Sequence, residues 1–119
     1  MTALTQRWSS DEPLDLRGRD LEGALVRRER TRLRCDGVAF DFRVAADELT
    51  DTGLVRQFRL SVCEASGAAT AQPVAAELVV RPVIPAVSVE KLGPWERTAL
   101  RQAARKLLLT VADEVSARG

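Results

Sequence analysis

The stretch Arg30-Thr31-Arg32-Leu33-Arg34-Cys35-Asp36-Gly37-Val38-Ala39-Phe40-Asp41-Phe42-Arg43 decides the fold. Apolar and polar side chains alternate on both sides of Asp36-Gly37, the pattern of a half-buried strand running into a second one. A two-residue Asp-Gly loop suits a type I′ turn, whose central residues both need positive φ. That turn sets the pairing: Cys35 faces Val38, Leu33 faces Phe40 and Thr31 faces Phe42, so one face of the hairpin is apolar. The other face sets Arg34, Arg32 and Arg30 against Ala39, Asp41 and Arg43. Arg32 with Asp41 is a favourable cross-strand pair. Arg30 beside Arg43 is an unfavourable one and points to an anion at that face.

The same period continues outward from the hairpin. After Gly53, Phe58, Leu60 and Val62 face inward while Gln57, Arg59, Ser61 and Cys63 face solvent. Cys35 and Cys63 therefore point to opposite faces, and no disulfide is expected between them. Residues 65–72 form a small, polar connection. Val74, Ala76, Leu78 and Val80 then alternate with Ala75, Glu77, Val79 and Arg81 until Pro82 and Pro85 interrupt the ladder. Val87 and Val89 alternate with Ser88 and Glu90 in a last short strand. Strands at hairpin spacing predict a mainly β fold, a small antiparallel barrel of five or six strands whose closure protects its edges. Phe40, Phe42, Phe58, Leu60 and Leu78 are its expected core.

A C-terminal helix over 94–117 closes this barrel. Gly93 and Pro94 suit its N-cap and first position, and Glu96 suits its first turn. Leu100, Ala103, Ala104, Leu107, Val111 and Val115 form an apolar stripe at helical spacing. Trp95 and Leu109 lie off it. Either Trp95 covers the helix entrance and Leu109 is an exposed leucine, or the two mark a second contact face for a protein partner or a homodimer. Residues 1–24 read as a polar, loosely attached arm, whose Asp11, Glu12, Asp15, Asp20 and Glu22 have the charge to fold back over the arginines. Residues 25–119 read as one domain.

Composition narrows the chemistry. A chain of 119 residues with 45% hydrophobic content and a mean hydropathy of −0.12 fits one ordinary globular domain. Its apolar runs are too short to span a bilayer and its first residues lack the pattern of a signal peptide, so a cytoplasmic protein without membrane insertion is expected. There is no histidine, and the two cysteines have neither redox nor metal-ligand spacing. The commonest general base and the usual partner of a nucleophile are thus missing. The expectation is a binding protein, not an enzyme, with no cofactor.

Charge supplies the candidate site. Residues 27–34 hold five arginines and Glu29, a local +4 on a chain of total charge +1. The guanidinium fork donates two hydrogen bonds to a phosphate and its flat face stacks on a purine. Arginines recur at a separation of four as Arg28-x-x-x-Arg32 and Arg30-x-x-x-Arg34. The ordinary reading is the solvated face of a strand. General DNA binding is disfavoured by the low net charge and by the lack of tyrosine, with only three phenylalanines and two tryptophans for stacking. Downstream lies Glu48-Leu49-Thr50-Asp51-Thr52-Gly53, a turn with side-chain acceptors and a closing glycine.

Arginine pair, then acidic turn, then small barrel and terminal helix is an order that resembles the PilZ domain, a bacterial receptor module for cyclic di-GMP. That family carries Arg-x-x-x-Arg followed by Asp/Asn-x-Ser-x-x-Gly. Here Glu48-x-Thr50-x-x-Gly53 has the second motif's spacing, with glutamate and threonine in place of its usual residues. Residues 77–81, 87–92 and 95–100 look like the family's late strands and the start of its closing helix, so the resemblance spans roughly residues 25–110. It implies a signalling module in which Arg28 and Arg32, or Arg30 and Arg34, grip the phosphates and stack on the guanines, while Glu48, Thr50 and Gly53 face another guanine edge and a phosphate. Two other readings stay open: a PilZ-like protein-interaction or oligomerisation module that binds no nucleotide, and a nucleic-acid-binding module using the arginine strand.

Overall fold

The computed structural model describes residues 7–10, 21–26, 30–48, 54–65, 75–82, 87–88 and 92–118. In chain order these form β1 (Trp8–Ser9), α1 (Leu21–Val26), β2 (Arg30–Cys35), β3 (Val38–Glu48), β4 (Leu54–Glu64), β5 (Ala75–Val80), β6 (Val87–Ser88) and α2 (Pro94–Arg118). The sheet is antiparallel in the order β1-β2-β3-β4-β5, and β6 pairs with β4 as well.

The central hairpin has the register that its turn dictates. Asp36 and Gly37 stand at φ 51° and 86°, the left-handed pair a type I′ turn requires, in residues that tolerate it. Cys35 then lies opposite Val38, Leu33 opposite Phe40 and Thr31 opposite Phe42. Leu33, Cys35, Phe40 and Phe42 are buried, while Arg30, Arg32, Arg34 and Arg43 are exposed. Across β4 the same two faces continue, with Phe58, Leu60 and Val62 in the core and Arg59 and Cys63 outside. Cys35 and Cys63 are both free thiols on opposite faces.

One irregularity shifts the phase of β4. Asp47 lies opposite Gln57 but Glu48 lies opposite Val55, so Arg56 is an extra residue in that strand. Such a bulge lets two residues an odd number apart face the same way. Val55 and Phe58 are both buried as a result.

The sheet is open, which corrects the expected barrel. Among the described residues its end strands, β1 and β5, pair with one inner strand each. β1 has only two residues, too few to form a ladder with the six of β5. The apolar face is covered instead by α2, which packs on β4, β5 and α1. Leu100, Ala104, Leu107, Leu108, Val111 and Ala112 supply the helix's buried side, with Leu109 and Val115 packed at its margin. The helix begins as expected, with the Gly93 carbonyl accepting the Arg97 N–H at 3.1 Å. Leu78, expected in the core, is half-buried against it.

Part of the stretch expected to form a loose arm is built into this core. Trp8, 3% exposed, sets its ring edge-on to Phe40 with centroids 5.5 Å apart and donates its indole N–H to the Leu108 carbonyl at 3.2 Å. Arg7 Nη2 donates to the Asp36 carboxylate at 2.7 Å, the Ala112 carbonyl at 2.7 Å and the Ser116 hydroxyl at 2.6 Å. These two residues tie the hairpin turn to the far end of α2. Leu25, in α1, is buried too. The acidic residues 11–20 lie outside the described residues.

Two substitutions test this packing by denaturant unfolding. Trp8→Ala removes a ring that bridges sheet and helix, and is expected to cost ~3–5 kcal/mol. Thr31 is buried with no hydrogen-bond partner for its hydroxyl, so Thr31→Val, which keeps the shape and removes the unsatisfied group, is expected to raise stability by about 1 kcal/mol. A valine variant less stable than wild type contradicts that account.

Candidate anion-binding face

The face of the sheet opposite α2 gathers most of the chain's described strand cations. Successive rows across the strands are Arg34 with Ala39; Arg32, Asp41, Cys63 and Ala75; Arg30, Arg43, Ser61 and Glu77; and Ala45, Arg59 and Val79. The small residues Ala39, Ala45, Ser61, Cys63 and Ala75 keep the middle of the face low, and the longer arginines stand around it.

Asp41 organises the cationic side. Its carboxylate accepts from Arg32 Nε at 2.7 Å and, on the diagonal, from Arg30 Nη2 at 3.2 Å. The unfavourable Arg30–Arg43 neighbourhood is thereby relieved from within the protein, since the anion beside Arg30 is Asp41. Burial tends to raise the Asp41 pKa, its side chain being 16% exposed, but the hydrogen bonds from Arg32 and Arg30 and their charges outweigh this and hold it below the ordinary carboxylate value. Both guanidinium groups are consequently oriented while keeping further N–H donors for a ligand.

Charge is unevenly spread over the face. Over the stretch where β2 and β3 pair, residues 30–35 and 38–43, Arg30, Arg32, Arg34 and Arg43 stand around Asp41, four positive charges against one. Arg59 of β4 instead lies between Asp47, near the end of β3 at 3.6 Å, and Glu77 of β5 at 3.5 Å, one positive charge against two. Gln57, expected to face solvent, is nearly buried and donates to Asp47 at 2.6 Å. An anion is thus drawn to β2 and β3.

The expected site residues divide along this geometry. Arg30, Arg32 and Arg34 share the exposed face, whereas Arg28, Thr50 and Gly53 lie outside the described residues. Glu48 ends β3, five positions beyond Arg43, which is opposite Arg30; at the usual strand rise that is about 17 Å away. Arg34 lies opposite Ala39, nine positions from Glu48 and roughly 30 Å from it. Arg34 and Glu48 therefore do not converge, and Arg30 is nearer to Glu48. Arg43 and Asp41 join the site through cross-strand neighbourhood, a signal present in the register of the hairpin.

The second expected contact face separates into unlike parts. Trp95 is 82% exposed, but Leu109 packs against the core instead of standing in solvent. Fourteen residues of helix place them about 21 Å apart along α2. Trp95 lines an apolar cleft with Phe58, Val80, Arg81, Pro82, Glu96 and Ala99. Burial raises the Cys35 thiol pKa, with a further rise from Asp36, so this cysteine is protonated and shielded. Among the described residues no acidic, cysteine or histidine cluster is arranged to hold a metal ion, and no helix is long and apolar enough to cross a membrane.

Asp41 gives a pH signature with a definite sign. Its folded pKa lies below the unfolded value, so its contribution to stability is complete above the unfolded value and is lost as pH falls through the folded one. Denaturant unfolding followed from neutral to acid pH is expected to show a smaller acid loss in Asp41→Asn than in wild type. Parallel acid profiles for the two proteins contradict the assignment. Compared with protein families, with characterised proteins and with solved structures, the chain shows no match, so its own geometry carries the functional argument.

Proposed function

We propose that this chain is a non-catalytic binding module whose arginine face takes a compact anionic ligand of the cyclic dinucleotide class, with cyclic di-GMP as the first candidate. The observation that carries this reading is the placement of Arg30, Arg32, Arg34 and Arg43 on one exposed sheet face, two of them oriented by Asp41. Arginines at alternate positions of β2 stand about 7 Å apart along the strand. That spacing gives two phosphates of one small ligand separate guanidinium partners, and the flat groups offer surfaces for purines. The lack of histidine supports binding over catalysis.

The resemblance to PilZ modules supports the choice of ligand through the arginine run and the Glu48–Gly53 spacing. Ligand held between β2 and β3 would reach toward the end of β3 where that turn starts. Nucleic acid is a weaker fit, because positive charge is concentrated on one side of the face and is opposed by Asp47 and Glu77 on the other.

Calorimetric titration with cyclic di-GMP tests the proposal in wild type, Arg32→Ala, Arg32→Lys and Glu48→Asp. Wild type is expected to bind, Arg32→Ala to lose binding and Arg32→Lys to bind at least tenfold more weakly because the fork is lost, while Glu48→Asp binds as tightly or more so. A wild-type protein that gives neither heat nor a melting shift with millimolar ligand overturns the proposal. Retention on DNA that falls steeply with salt, without cyclic di-GMP binding, replaces it with the nucleic-acid reading.

A further inference from the structure

β5 ends the sheet, and among the described residues its outer edge pairs with no strand. Open edges invite pairing with another chain, and proteins usually guard them with charge, proline or very short strands. The other exposed edge, along β2, is guarded by Arg30 and Arg32. β5 is different: its solvent-facing positions are Ala75, Glu77 and Val79. Val79 is 44% exposed, and it and Trp95 are the exposed large apolar residues among those described. Both belong to this margin of the molecule, since Val80 and Arg81, next along the chain, line the cleft beneath Trp95.

The edge sequence is complementary to itself in one antiparallel register. With a twofold axis at Val79, Val79 meets Val79 of the second copy, and Leu78 meets Val80 of the second copy on the core side. Glu77 then lies opposite Arg81 of the second copy, and the same pair recurs across the axis. Directly opposed unlike charges and β-branched pairs are the favourable combinations of an antiparallel ladder. Arg81 is exposed and among the described residues forms no ion pair, whereas Glu77 is shared with Arg59 at 3.5 Å. Shifting the axis to Leu78 sets Glu77 against Val79 and loses both charge pairs. Pro82, which has no N–H, marks where such a ladder must stop.

We infer that two copies of this chain join edge to edge through β5, about a twofold axis at Val79, to form one continuous sheet secured by reciprocal Glu77–Arg81 pairs. This inference is independent of the ligand. An axis perpendicular to the sheet keeps both α2 helices on one side and both arginine faces on the other. Val80 beside Leu78 of the second copy also extends the apolar surface next to Trp95.

Charge exchange tests the contact by analytical ultracentrifugation. Wild type is expected to sediment at twice the 13.0 kDa chain mass. Glu77→Arg and Arg81→Glu each place like charges opposite one another and are expected to be monomeric when alone. Mixed in equal amounts they restore both unlike pairs and are expected to form a heterodimer, an outcome that misfolded variants cannot give. Val79→Lys is expected to stay monomeric in every mixture. Wild type that remains monomeric to about 1 mM overturns the inference, as do single variants that dimerise like wild type or a mixture that stays monomeric while wild type dimerises.

Discussion

The two-residue Asp36-Gly37 turn is the constraint on which the structure depends. Side chains alternate between faces with a period of two, so a slip of one position would carry every arginine of β2 into the core and every apolar partner into water. Left-handed φ at both turn residues removes that freedom. Arg7 reinforces the point from outside by binding the Asp36 carboxylate together with the Ala112 carbonyl and the Ser116 hydroxyl, so the turn is fixed to the end of α2. Register, core and charged face follow from one short segment held at both ends.

An open sheet covered on one side has consequences that a closed barrel would not have. With α2 filling the apolar face, the polar face is left broad and accessible, and it is there that Asp41 gathers Arg30 and Arg32. Exposed ion pairs of this kind contribute little to stability, about 0.2–1 kcal/mol each, so their chief effect is orientation. Openness also leaves the edge at β5. If that edge pairs as inferred, the two arginine faces point the same way, with β4 and β5 of both copies between their β2–β3 cations.

The hairpin, its register and the inward set Phe40, Phe42, Phe58, Leu60 and Val62 were legible because local alternation and a two-residue turn are sufficient to specify them. The long α2 was equally legible from its apolar stripe and its Gly93-Pro94 start. Gln57 keeps the outward phase of Arg59, since the bulge lies before it at Arg56; its burial was missed because its hydrogen bond to Asp47 on the neighbouring strand leaves no signal in the alternation of β4 alone. Trp8 was passed over since an isolated tryptophan in a polar stretch has no period of its own. Its burial arises from a site made jointly by Phe40 and the Leu108 carbonyl, a hundred residues away in the chain.

For the candidate site, the sequence by itself determined which arginines share a face, since residues two apart in a strand must do so. Whether that face would be covered, which carboxylate would hold Arg30, and how far Glu48 would lie from Arg34 were decided only by the tertiary structure. Those are properties of how strands stack beside one another and of which side the helix occupies. Barrel closure belongs to the same class: alternation says that a sheet has an apolar face, but α2 and a two-residue β1 decide that this face is buried by a helix instead of by the sheet curling upon itself.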